Sequence, residues 1–105
     1  MDENTIDTAF QQYKTTREAL FDASQDLGDA QVALAKKKID VYNQGLIDGS
    51  NETIRRGQYD TYTREEAEIV IQKEKVLDTA QMNHDLAYYE VSRCKLLVAF
   101  LGLNM

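Results

Sequence analysis

Apolar residues recur every seven positions through the first half of the chain, at Ile6, Tyr13, Leu20, Leu27, Leu34 and Val41. Three positions beyond successive rungs stand Ala9, Thr16, Ala23 and Ala30. Steps of three and four put these residues on one side of an α-helix, and a sustained seven-residue period is the pattern of a seam buried against a second helix. The pattern predicts one helix over about residues 3–44. At 1.5 Å per residue it would extend roughly 60 Å.

The second half carries a matching seam of Val70, Leu77, Ala80, His84, Ala87, Val91, Cys94, Val98 and Leu101. It predicts a helix over about residues 52–101. Between the two, Asn43-Gln44-Gly45 followed by Leu46 reads as a helix end with glycine in the left-handed conformation. Asp48-Gly49-Ser50-Asn51 reads as a turn, with Ser50 or Asn51 able to cap the next helix. The connection therefore occupies about residues 45–51. Residues 57–63, Gly57 to Thr63, are poor in helix formers, and Thr63 with Glu66 has capping-box spacing. The sequence leaves an interruption of the second helix open there.

Folding the chain at this turn sets Leu20 opposite Leu77, Leu27 opposite Val70, Tyr13 opposite His84 and Ile6 opposite Val91. Both seams meet in one register. The expected fold is all-α: a single domain, residues 1–105, forming a long antiparallel two-helix hairpin with coiled-coil-like packing. Two helices cannot enclose a core, and apolar residues are left over. Tyr62, Ile69 and Val76 make a further seven-residue stripe; Phe10 flanks the first seam, and Phe21, Val32 and Ile39 lie off it. The end, from Leu96 to Leu103, is apolar on every side. Such surface marks an interface. Assembly into a four-helix bundle is expected, as a homodimer or tetramer, with Tyr62, Ile69, Val76, Leu97, Phe100, Leu101 and Leu103 as the oligomer interface. Gly28 lies within the first helix, where it costs about 1 kcal/mol against alanine but permits close approach of a neighbour. With Ala19, Ala23, Ala30 and Ala33 it suggests tight helix–helix contact.

Composition agrees with this pattern. There is no proline and there are five glycines among 105 residues, which suits long uninterrupted helices. The net charge of -6 disfavours wholesale wrapping by nucleic acid or an anionic membrane. A single cysteine, Cys94, excludes an intrachain disulfide and fits a reducing compartment. The opening residues lack the layout of a signal peptide, and the run Leu96–Leu101 is far short of the roughly 20 residues of a membrane span. The expectation is a soluble, cytoplasmic protein with no membrane partner.

Candidate chemistry is sparse. His84 is the sole histidine and sits on the seam, so it reads as a core residue bonded to a tyrosine hydroxyl or to backbone. Asp85 points about 100° away from it around the helix. Cys94 on the same seam reads as a small buried hydrophobe. Glu65, Glu66 and Glu68 lack the loop of a calcium site and read as a solvated face. No phosphate-cradling loop, nucleophile elbow or zinc knuckle is present. No catalytic, cofactor or metal residues are assigned, and the expectation is that the protein is not an enzyme.

One charged cluster offers an alternative. Lys36, Lys37 and Lys38 close the first helix, and Arg55, Arg56 and Arg64 open the second, interleaved with Tyr42, Tyr59 and Tyr62. Such a tip has the residue types for polyanion contact, with tyrosines to stack on bases. Asp40, Asp48, Glu52 and Asp60 dilute it, and lysines in a last turn also favour the helix dipole. The leading functional expectation is a non-catalytic oligomeric interaction or structural module, binding itself and conceivably another protein. The alternative is a nucleic-acid-binding accessory protein using this tip. No motif assigns the chain to a family.

Overall fold

The computed structural model describes residues 2–102. Its elements are α1 (Glu3–Asn43), α2 (Glu52–Tyr62) and α3 (Arg64–Leu101), with no strand among the described residues. The long helices α1 and α3 pack against each other as a hairpin. Two compact units divide the chain: one combines the part up to Ala23 with the part from Leu77 onward, the other is Ser24–Val76.

In the first unit, α1 starts at Asp2, whose carboxylate accepts from both the backbone N–H and the hydroxyl of Thr5, each at 2.8 Å. This satisfies donors that a helix N-terminus leaves open. Ile6, Ala9, Val91 and Cys94 form the buried core, with Tyr13 and Val98 packed against it. Ile6 and Val91 thus meet as the seams predict. Tyr13 and His84 confirm the same register, with ring centroids 4.9 Å apart. Ala80 and Ala87 complete the buried positions of α3.

In the second unit the first helix ends in a Schellman arrangement. Gly45 adopts φ 75°, its N–H reaches the Tyr42 carbonyl at 3.0 Å, and Leu46 N–H reaches Val41 at 3.1 Å. Asn51 caps α2 by accepting from Ile54 N–H at 2.9 Å. Gln58 then fastens the turn: its carbonyl oxygen accepts from Asp48 and Gly49 N–H at 3.2 and 2.9 Å, and its amide donates to the Asp48 carboxylate at 2.7 Å. A Cβ on Gly49 would lie 2.6 Å from Ile54 Cγ2, so this position requires glycine.

The second predicted helix is interrupted at Thr63, within the weak segment identified in the sequence. Thr63 has φ -115° and ψ 16° and is only 2% exposed. Its hydroxyl donates back to the Tyr59 carbonyl at 2.7 Å, which its own N–H also reaches at 2.9 Å. This is a back-bonding threonine, a known cause of helix bending, rather than a Thr63–Glu66 capping box. Ala67 N–H donates to the Thr63 carbonyl at 2.9 Å and opens the ladder of α3.

Candidate interaction surface

The seam positions behave as their spacing predicts. Ala23, Ala30 and Val41 are buried, while Leu20, Leu27, Leu34, Val70 and Leu77 are half-buried. Cys94 is 1% exposed and packs in the core, with no sulfur partner. His84 is half-buried, and its partner differs from the expected tyrosine hydroxyl or backbone group. Its Nδ1 lies 3.1 Å from the Thr16 hydroxyl, while Tyr13 supplies a ring face. Asp85 is exposed and bonded to Gln81 at 2.9 Å, turned away from the ring as helix geometry requires. Among the described residues, no group of three or more His, Cys, Asp and Glu converges as a metal site would.

The surface residues proposed for assembly divide. Tyr62, Ile69 and Val76 are 43%, 40% and 52% exposed, so this stripe stands free of the chain's own core. Among the described residues, Phe100 is the most exposed of the large apolar side chains at 83%. Leu97 is half-buried, and its neighbour Val98 packs on the core. Leu101, also placed on the seam by its spacing, is exposed at the last turn of α3. Leu103 lies outside the described residues.

The leftover Val32 and Ile39 of α1 belong to a second stripe, which small residues complete. On α1, Val32 and Ile39 share one heptad position, and Gly28, Ala35 and Tyr42 share another. Together they alternate at steps of four and three, as a seam does. Val32, Ile39 and Tyr42 are 53%, 60% and 65% exposed, and a Cβ on Gly28 would meet nothing within 4 Å. Gly28 therefore does not serve the contact within this chain. The signal was present as a second seven-residue period, hidden because its small members carry little hydropathy.

The basic tip is only partly assembled. Lys38, Arg55, Arg56 and Tyr59 line one open groove, but Glu52 and Asp60 line it too. Arg56 pairs with Glu52 at 3.2 Å, and Arg55 donates to the Gly49 carbonyl at 3.2 Å. Lys37 is half-buried on the α1 seam, and neither Lys36 nor Arg64 lines this groove. The site's cations are thus interleaved with carboxylates, an arrangement that weakens attraction for phosphates.

Elsewhere, the Glu90 carboxylate is held below the usual range by its hydrogen bond and charge pairing with Arg93. Asp2 is likewise lowered, first by the Thr5 backbone hydrogen bond. Among the described residues no helix is long and apolar enough to cross a membrane. No family model matches the chain, and no curated protein or solved structure shows significant similarity to it.

Proposed function

We propose that this chain is a non-catalytic, homo-oligomeric interaction module in which hairpins assemble into a four-helix bundle. The observation that carries the reading is the surface left uncovered. The chain exposes 7871 Å². A compact monomer of 12.0 kDa exposes only about 6,000 Å². Large apolar side chains at seven-residue spacing are exposed on the chain: Ile69 and Val76 on α3, with Tyr62 one heptad earlier across the Thr63 interruption. A second copy supplies a helical partner in the same register.

No enzymatic role is proposed, because the half-buried polar pair Thr16–His84 is satisfied internally and most of the carboxylates and cations are dispersed over exposed helix faces. The sole thiol is buried and unpaired, which suits a reducing, cytoplasmic setting.

Light scattering coupled to gel filtration tests the proposal. Ile69→Asp with Val76→Asp should halve the particle mass or lower it further while helicity is retained. Identical masses for variant and parent would refute this interface.

A further inference from the structure

We infer that the outer stripe of α1 is a second self-contact, in which α1 packs antiparallel against α1 of another copy about a two-fold axis at the level of Ala33 and Leu34. The inference rests on the homo-oligomeric reading above and names a different face.

Three observations converge on a second copy as the occupant. The first is size complementarity. Antiparallel pairing about this axis sets Gly28 against the partner's Ile39 and Ala35 against the partner's Val32. Ile39 and Val32 each meet a small residue, and Tyr42 meets the polar Gln25 position at the end of the stripe. Parallel pairing would instead set like against like, leaving a gap at Gly28 and crowding at Ile39. The empty space above Gly28 is then the socket for Ile39 of the partner subunit.

The second is charge. Asp29 and Lys36 are both exposed and share the heptad position flanking one edge of the stripe. Antiparallel helices pair such flanking positions with themselves across the interface. Asp29 therefore faces the partner's Lys36, and the two-fold axis repeats the pair. On the other edge Gln31 faces the partner's Lys38, which brings no like charges together. Among the described residues, neither Asp29 nor Lys36 forms an ion pair within its own chain.

The third is area. The chain exposes 7871 Å². This is about 1,900 Å² above the expectation for a compact monomer of its mass. A standard interface takes about 800 Å² from each partner. The five helical turns from Gln25 to Tyr42 give a helix pairing roughly 27 Å long. An isologous contact of this kind joins hairpin dimers into a closed tetramer.

Charge exchange tests the contact. Sedimentation equilibrium at low salt should show Asp29→Lys weakening the self-association by roughly tenfold, since two attractions become two repulsions. Adding Lys36→Asp to the same chain should restore it. Gly28→Leu, which has open space within its own chain and improves helix propensity, should abolish this contact without unfolding the protein. If Asp29→Lys and Gly28→Leu leave the mass unchanged while Ile69→Asp lowers it, this contact is wrong and the first interface stands. A monomeric parent protein would remove both.

Discussion

Thr16 and His84, on the facing helices α1 and α3, meet with 3.1 Å between the hydroxyl oxygen and ring Nδ1. The Thr16 hydroxyl already approaches the Gln12 and Tyr13 carbonyls at 2.8 and 3.1 Å. With its single hydrogen given to one of these carbonyls, the hydroxyl oxygen is free to accept from His84 in the Nδ1–H tautomer. A polar contact in an otherwise small and apolar seam marks one register of the hairpin, because sliding either helix by a turn would strand both groups.

Removing either partner strands the other. Thr16→Val should destabilise by about 1–2 kcal/mol, and His84→Leu should couple to it by about 0.5–1.5 kcal/mol in a double-mutant cycle. Chemical denaturation measures both, and nitrogen chemical shifts should report the Nδ1–H tautomer in neutral His84. Additive losses would mean that the two groups do not communicate.

The glycines at the turn and in α2 should respond with opposite signs. Gly49→Ala forces a Cβ to 2.6 Å from Ile54 Cγ2. It should cost about 1–3 kcal/mol as overpacking, and Ile54→Ala in the same chain should relieve it. Gly57→Ala meets nothing within 4 Å inside a helix. It should stabilise by about 0.5–1 kcal/mol. Thermal melts of the two variants on opposite sides of the parent value are the expected result.

Thr63 interrupts the second helical stretch while staying almost fully buried. Its N–H continues to satisfy the Tyr59 carbonyl if the hydroxyl is lost. Thr63→Val should therefore change stability by less than about 1 kcal/mol, since shape is kept and no carbonyl is orphaned. Thr63→Lys should cost several times more, because it buries a charge without a partner. Urea unfolding curves separate the two outcomes.

Lowering the pH should loosen the start of α1. The Asp2 carboxylate is held below its ordinary value by the Thr5 hydrogen bonds, so its contribution is complete above the unfolded carboxylate pKa and disappears as pH falls through the lowered one. Carbon-detected titration should show low midpoints for Asp2 and for Glu90. Arg93→Gln should return Glu90 toward its ordinary value and leave Asp2 unmoved. Hydrogen exchange at the Thr5 amide should accelerate at acid pH in step with Asp2.

The hairpin was legible in the sequence because its evidence is redundant. Ile6, Tyr13, Val91 and His84 all report one register, and Gly45 and Asn51 mark the turn with chemistry that few other residues provide. The site of the bend at Thr63 was less legible, since threonine serves equally as a cap, a back-bonding residue or a seam member, and only its φ and ψ distinguish these. The α1 outer stripe was legible only at Val32 and Ile39, for a different reason. Its recognition depends on Gly28 and Ala35 as sockets, and small residues register as weak hydrophobes until their open surroundings are seen. Likewise, the row of cations in the sequence does not reveal that Arg55 and Arg56 are engaged locally.

The central claim is that the seam of this hairpin buries too little and a further copy of the chain covers the rest. Sedimentation equilibrium of the unmodified protein at micromolar concentration tests it most directly. The account predicts a particle mass that is an even multiple of 12.0 kDa. A single species at 12.0 kDa, unchanged as concentration rises, would contradict it.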